Sequence, residues 1–199
     1  MFITFEGIDG CGKSTQIKLL AEYLDGKGID NIIIREPGGT AFSEKIRDLL
    51  LHSKEDINVI SEMLLFEAAR ADLTEKIIKP ALDKGIYVLS DRFYDSTTCY
   101  QGYGRGLPID DLLSIHKLAT FAIIPDVTIY LDIPLNESKM RMGKKKLDRM
   151  ENAGDAFFMR VIKGYRDIAK NENDRVKQVD AMGGISETHQ KILELLELE

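Results

Sequence analysis

The chain has 199 residues, of which 44% are hydrophobic and 30% are charged, and its formal net charge is −6. These values fit one domain with a hydrophobic core, and the acidic balance argues against binding to a nucleic-acid polymer. The N-terminus lacks a basic region and a long apolar run, so we expect neither a signal peptide nor a membrane segment. Two cysteines, Cys11 and Cys99, lack metal-site spacing and indicate a cytoplasmic protein with reduced thiols.

Short apolar runs alternate with amphipathic stretches along the whole chain. The predicted strands are 2–5, 32–34, 86–89, 127–131 and 176–179. The predicted helices are at about 14–27, 40–51, 57–84, 108–121, 135–142, 153–171 and 185–197. Continuously apolar strands joined by long crossovers are typical of a parallel sheet covered by helices on both faces. The sequence therefore predicts one three-layer α/β domain over residues 1–199, built on a five-stranded parallel sheet.

A glycine-rich segment, GIDGCGKS at 7–14, follows the first predicted strand and precedes the first predicted helix. It matches G-x-x-x-x-G-K-[ST], in which backbone N–H groups converge on phosphate oxygens at a helix N-terminus. Lys13 is expected to reach the β- and γ-phosphates, and Ser14 to bind Mg²⁺. The expected triphosphate-binding residues here are Gly7, Ile8, Asp9, Gly10, Cys11, Gly12, Lys13, Ser14 and Thr15.

Small-molecule kinases, GTPases and ATPase motors or binding modules all use such a loop. A GTPase needs an N-K-x-D motif after a later strand, and none is present. The D-x-x-G match at 180–183 lies too late in the chain for a γ-phosphate switch. A motor is usually larger and carries a strand that ends in Asp-Glu. A kinase predicts instead a second anion pocket and a basic lid that excludes water during transfer.

Arginines follow the second and third predicted strands. Arg35 comes directly after the second predicted strand, Arg92 follows the third after Ser90 and Asp91, and Arg47 lies on the next predicted helix. Because the carboxyl ends of parallel strands meet at one edge of a sheet, these guanidinium groups can converge on a phosphate. Asp91 can hold a water bound to Mg²⁺. Two plainer interpretations stay open, namely a structural Asp91–Arg92 ion pair and a solvated helix face for Arg47.

Basic residues are concentrated after the fourth strand and its helix. They are Lys139, Arg141, Lys144, Lys145, Lys146 and Arg149. Their charge opposes the net charge of the chain, and their place favours a mobile lid at about 140–152 that brings cations to the transferring phosphoryl group. A solvated charged loop is the plainer alternative.

Four segments resemble bacterial thymidylate kinases: FEGIDGCGKST at 5–15, REPGGT at 35–40, DRFYDSTTCYQG at 91–102 and LDRME at 147–151. REPGGT followed by S-x-x-x-YQG is the specific part, and the resemblance extends over essentially the whole chain. It implies a P-loop kinase fold, ATP with Mg²⁺ as donor, dTMP as acceptor, dTDP and ADP as products, and a homodimer.

The resemblance also implies residue roles. Phe66 stacks on thymine, and Arg70, on the same helix face, donates to its O4. On the residues alone, a core aromatic is the favoured interpretation of Phe66. Tyr100 lies under the deoxyribose, Gln101 lies beside the base, and Asp9 accepts from the sugar 3′-hydroxyl. The expected acceptor-binding set is Asp9, Arg35, Glu36, Pro37, Arg47, Phe66, Arg70, Arg92, Ser96, Tyr100 and Gln101.

On the donor side, the resemblance places Arg141 on adenine and the turn at Asp180 and Ala181 at the adenine edge. Arg92 clamps both phosphates, and Lys145 and Arg149 are cationic lid positions. The expected catalytic residues are Lys13, Arg92, Asp9, Lys145 and Arg149. The expected metal ligands are Ser14 and Asp91.

The chain departs from the family pattern in places. The usual D-R-Y is D-R-F, with Phe93, and the lid carries lysines where relatives often carry arginines. Lysine cannot make the bidentate contact of arginine. Thr97 and Cys99 are also unusual near the base. Two alternatives stay open: a kinase for another nucleoside monophosphate or nucleoside, and a nucleotide-binding regulator without turnover.

Overall fold

A computed structural model of the protein describes residues 1–143, 150 and 153–198. In these residues, five strands form a parallel sheet in the order β2-β3-β1-β4-β5. The strands are β1 (Phe2–Glu6), β2 (Asn31–Arg35), β3 (Tyr87–Asp91), β4 (Val127–Asp132) and β5 (Val176–Asp180). The helices are α1 (Lys13–Gly26), α2 (Ala41–His52), α3 (Val59–Leu73), α4 (Lys79–Asp83), α5 (Tyr94–Thr97), α6 (Ile109–Ala119), α7 (Leu135–Met142), α8 (Asp155–Asn171) and α9 (Ile185–Leu195).

The central strand β1 is buried along its whole length, which explains its apolar sequence. Its residues alternate between the two faces of the sheet. Ile3 belongs to the same buried cluster as Leu20 of α1, on one face. On the other face, Glu6 accepts a hydrogen bond from Tyr165 of α8. Helices therefore cover both faces, and the predicted five-stranded, three-layer α/β arrangement is confirmed.

The helical segment predicted at 57–84 is not one regular helix. A turn of π-helix, Thr74–Ile78, separates α3 from α4. Pro80 at the start of α4 has no N–H to donate, so the wider turn before it accommodates the missing bond. A second π-helical stretch, Thr98–Gly104, continues α5 and was not predicted. Its sequence, TCYQGYG, contains glycines and has no clear apolar period.

The chain order positions the functional edge of the sheet. From β1 the chain crosses to β2, returns to β3 beside β1, and later adds β4 on the opposite side of β1. A parallel sheet with this change of direction opens a crevice at the carboxyl end of its central strand. The P-loop lies at this end of β1. No helix in the described ranges is long and apolar enough to cross a membrane.

Candidate active site

The P-loop joins β1 to α1 in a conformation that glycine permits. Gly7 has φ of 134°, and a Cβ there would lie 2.7 Å from the carbonyl oxygen of Leu131, so a larger residue is excluded. Lys13 Nζ folds back over the loop and donates to Gly7 O at 3.1 Å and Ile8 O at 3.3 Å. The first N–H groups of α1 and the Lys13 ammonium therefore surround one concave site that suits an anion.

Ser14 and Asp91 meet beside this loop. The Ser14 hydroxyl donates to Asp91 Oδ2 at 2.9 Å, although 77 residues separate the two in sequence. A hydroxyl next to a carboxylate provides the hard oxygen donors that Mg²⁺ takes from proteins, with phosphates and waters completing its shell. This pair fits the expected metal position.

Arg92 lies at the centre of the site and is held on several sides. It has a positive φ of 73°, which directs its backbone away from the line of β3. Its guanidinium donates to Asp9 Oδ1 at 3.0 Å, Ser96 Oγ at 3.0 Å, Tyr165 OH at 3.3 Å and Tyr100 OH at 3.4 Å. Burial opposes its charge, but the surrounding oxygens raise its pKa, so Arg92 remains a cation.

The fully buried Glu6 holds two of the side chains that contact Arg92. Its carboxylate accepts from Phe93 N at 2.7 Å, Ser96 Oγ at 2.6 Å and Tyr165 OH at 2.8 Å. Ser96 and Tyr165 are also partners of Arg92, so one carboxylate orders two of the three hydroxyl groups that contact the guanidinium. Burial raises the pKa of Glu6.

Arg70 is 2% exposed and is anchored between two carboxylates. Its Nε donates to Glu36 Oε2 at 2.8 Å, its Nη1 pairs with Glu67, and its Nη2 donates to Phe93 O and Thr97 Oγ1. The guanidinium is therefore fixed at the wall of the cavity before any ligand arrives.

The two carboxylates that share Arg70 have opposite pKa shifts. Burial raises the pKa of Glu36 to about 7 despite Arg70, and its Oε1 has no hydrogen-bond partner among the described residues. Burial also opposes ionisation of Glu67, but Arg70 and His116 outweigh it and lower the pKa of Glu67 to about 2. His116 Nδ1 lies 3.1 Å from Glu67 Oε1. With a pKa of about 7, Glu36 is therefore partly protonated near neutral pH, whereas Glu67 carries a negative charge.

Arg35 and Arg47 lie at the carboxyl end of β2. Arg35 is half exposed, and its Nη2 donates to both carboxylate oxygens of Glu44 at 3.0–3.1 Å. Arg47 donates to Pro37 O at 2.9 Å, after the cis Glu36–Pro37 peptide bond. Arg141 donates to Ala181 O at 3.0 Å, which brings α7 to the turn after β5.

One cavity of about 450 Å³ brings most of the predicted site residues together. Its lining includes Asp9, Gly10, Gly12, Lys13, Ser14, Thr15, Arg35, Glu36, Pro37, Arg47, Phe66, Arg70, Asp91, Arg92, Ser96, Tyr100, Gln101 and Arg141. Predicted residues that do not line it are Gly7, Ile8, Cys11, Asp180 and Ala181. The first three form the back of the P-loop. Lys145 and Arg149 lie outside the described residues.

Four side chains that hold the site were not predicted: Glu6, Glu62, Glu67 and Tyr165. Glu6 ends a run of apolar strand residues, and a carboxylate at such a position is a detectable signal. Thr97, noted as unusual, bonds to Arg70. Tyr165 and the two helical glutamates have no local pattern that separates them from ordinary helix residues.

The fold and the site together define a class of protein. A P-loop that opens a helix faces buried and half-buried arginines across one cavity, as in P-loop kinases of small phosphorylated molecules. The family model described as thymidylate kinase matches residues 5–192. The chain belongs to the thymidylate kinase family, and the prediction that it is a kinase of this family is confirmed.

The sequences of individual relatives align with this chain over nearly its whole length. The chain is 49% identical to the thymidylate kinase of Chlorobaculum parvum, over 99% of this chain and 95% of the relative. It is 45% identical to the thymidylate kinase of Thermoanaerobacter sp. strain X514, over 98% of this chain and 96% of the relative. The crystal structure of thymidylate kinase from Ehrlichia chaffeensis superposes with a TM-score of 0.82 at 37% identity, covering 99% of this chain and 98% of that one.

Proposed function

We propose that the protein transfers the γ-phosphate of ATP to dTMP and releases dTDP and ADP. The observation that carries this proposal is a cavity lined both by Lys13 and Ser14 of the P-loop and by a second set of cations, Arg35, Arg47 and Arg92. Two anion-binding regions in one cavity suit two phosphorylated substrates that lie side by side. A nucleotide-binding regulator without turnover needs only the first.

On the donor side, the triphosphate of ATP lies along the P-loop at the start of α1. The Lys13 ammonium, which now donates to loop carbonyl oxygens, turns its hydrogen bonds toward the β- and γ-phosphates. Arg141, which bonds to Ala181, packs on adenine, and the turn at Asp180 borders the edge of the base.

On the acceptor side, the base of dTMP stacks on Phe66 and meets Arg70 and Gln101 at its edge. The ring of Tyr100 lies under the deoxyribose, and Asp9 accepts a hydrogen bond from the 3′-hydroxyl. Arg35, Arg47 and Arg92 then receive the phosphate, Ser96 holds Arg92, and Glu36 holds Arg70.

The reaction is an in-line displacement at the γ-phosphorus by an oxygen of the dTMP phosphate. Because that oxygen is already anionic, little general-base work is needed. Catalysis is then positioning and neutralisation of charge, by Lys13 on the donor and by Arg92 between the two phosphates. Since Glu6, Ser96 and Tyr165 hold Arg92 in place beforehand, little reorganisation accompanies transfer.

Mg²⁺ bound with ATP neutralises charge on the β- and γ-phosphates. Ser14 Oγ would be its protein ligand, and Asp91 would hold one of its waters, since the two side chains lie 2.9 Å apart. Their oxygen chemistry fits this ion.

The proposal includes one domain over residues 1–199 with a basic lid at about 140–152. Lys145 and Arg149 in the lid would bring positive charge to the transferring group. A homodimer built on helix packing is also proposed, and exposed apolar side chains on α3, Ile60 at 58% and Leu64 at 51%, support it. A cytoplasmic location fits the free thiols of Cys11 and Cys99.

An acceptor panel tests the proposed function. ADP release from ATP is measured with dTMP, dUMP, dCMP, AMP and thymidine as acceptors, with Mg²⁺ and with EDTA. We expect dTMP to exceed the non-thymine monophosphates in kcat/KM by orders of magnitude, and EDTA to abolish turnover. Faster turnover of another acceptor would contradict the assignment of dTMP, and no turnover with any acceptor would favour the regulator.

A pair of lysine variants on α1 tests the site assignment. Lys13→Ala should lower kcat by at least about 100-fold, because a cation aimed at the transferring charge is lost. Lys18→Ala, at an exposed position of the same helix, is the matched control and should keep the wild-type rate. Near-normal turnover by Lys13→Ala would refute the role of Lys13.

A further inference from the structure

The side-chain amide of Gln101 has a specific partner behind the cavity wall. Gln101 is 1% exposed and lines the cavity. Its Nε2 donates to Glu62 Oε1 at 2.9 Å. Glu62, also 1% exposed, forms an ion pair with Arg105, whose Nε and Nη2 lie 3.4 Å from its two oxygens. Glu62 does not line the cavity, and its contact with Gln101 connects it to the cavity.

The carboxylate of Glu62 determines which way the Gln101 amide points. The oxygen and nitrogen of an amide can exchange places, so its orientation needs a chemical reason. A carboxylate paired with a guanidinium accepts hydrogen bonds and donates none. The amide group that faces Glu62 is therefore the NH₂ group. The other branch, Oε1, has no protein partner within the described ranges, and it presents a hydrogen-bond acceptor to the cavity.

Arg70 presents the opposite polarity in the same cavity. A guanidinium has five N–H groups. Across the described part of the chain, four of them have acceptors, which are Glu36, Glu67, the Phe93 carbonyl and the Thr97 hydroxyl. One N–H of Nη1 is left for a ligand. At these two side chains the cavity therefore offers a hydrogen-bond donor, from Arg70, and an acceptor, from Gln101, each held by a buried network.

We propose that Glu62 is a positioning residue for base specificity, which acts by holding the Gln101 acceptor toward the substrate. The inference rests on the proposed function. Thymine and uracil carry an N3–H donor next to an O4 acceptor, which complements the acceptor of Gln101 and the donor of Arg70. Cytosine carries an N3 acceptor next to a 4-amino donor, so both of its groups meet like groups.

Glu62→Gln tests this inference with little change of shape. The variant side chain has an NH₂ group in place of one carboxylate oxygen, so side chain 62 no longer requires a donor from Gln101. The Gln101 amide can then also adopt the turned orientation, in which its NH₂ group points into the cavity and can donate to N3 of cytosine. We expect the ratio of kcat/KM for dTMP over dCMP to fall by at least about 10-fold. The ratio of kcat/KM for dTMP over dUMP should remain unchanged, because both bases have N3–H and O4.

Gln101→Met provides an independent test, because it keeps the length of the side chain and removes the amide. Alone, it should lower the ratio for dTMP over dCMP. In its background, Glu62→Gln should have no further effect on that ratio, since no amide is left to turn. Glu75→Gln, at an exposed position, is the matched control and should leave both ratios unchanged.

Calorimetric binding of the three nucleotides to each variant adds a measurement that needs no turnover. Retained discrimination against dCMP in Gln101→Met, or in folded Glu62→Gln, overturns the inference. An equal effect of Glu62→Gln in the Gln101→Met background also overturns it. A wild-type protein that binds none of the three nucleotides overturns the proposed function, and this inference with it.

Discussion

Replacing Glu36 with glutamine should change how the free energy of unfolding varies with pH. Burial raises the pKa of Glu36 from 4.5 to about 7 in the folded protein. Between these values the folded state binds a proton that the unfolded state has released, so the wild type loses stability as the pH rises. The displacement of the pKa corresponds to about 3 kcal/mol in total, and about 2.5 kcal/mol of it is lost between about pH 5 and about pH 8. Glutamine does not titrate and contributes no such loss.

The assay is urea unfolding of the ligand-free wild type and Glu36→Gln at several values across that range. We expect the free energy of unfolding of the wild type to fall by about 2.5 kcal/mol relative to the variant. Glu67→Gln is the matched control, because the pKa of Glu67 is lowered to about 2 and its carboxylate stays charged in both states above about pH 5. Above about pH 5, the free energy of unfolding of Glu67→Gln should therefore vary with pH in parallel with that of the wild type. The two should diverge only in acid, where the wild type loses the stabilising contribution of the Glu67 carboxylate. If the free energies of unfolding of the wild type and Glu36→Gln differ by the same amount at every pH in this range, the reasoning is refuted.

Two further predictions concern side chains outside the P-loop. Tyr165→Phe removes the hydroxyl that contacts both Glu6 and Arg92, so kcat should fall by about 10-fold while the KM for ATP changes little; an unchanged kcat would show that Arg92 does not need this support. Leu20→Ala empties a fully buried position of α1 and should lower the free energy of unfolding by about 2–5 kcal/mol in urea titrations. A loss below about 1 kcal/mol would mean that the surrounding core collapses into the space.

The positions of the site residues agree with the sequence interpretation wherever the signal was local. The P-loop is a contiguous segment whose glycines and lysine act within a single turn, so its pattern carries its conformation. Arg35 and Arg92 could be placed at one edge because the carboxyl ends of parallel strands lie at the same edge of a sheet. Their roles toward substrates remain predictions, as do those of Lys145 and Arg149, which lie outside the described residues.

The unpredicted parts have a common physical cause. Glu6 and Tyr165 are 159 residues apart, and Glu62 and Gln101 are 39 apart, so no short window of sequence contains either pair. The helical continuation at Thr98–Gly104 was missed for a related reason. Its glycines lower helix propensity, and packing of α8 against it overrides that preference.

The sequence by itself determined the α/β alternation, the buried parallel strands, the phosphate loop and the family resemblance. Each of these depends on residue type at short spacing, which the chain carries before it folds. Tertiary structure decided which carboxylates are buried beside which cations. That choice sets the proton on Glu36, the charge on Glu67 and the direction of the Gln101 amide, because desolvation and pairing arise only when distant segments pack together.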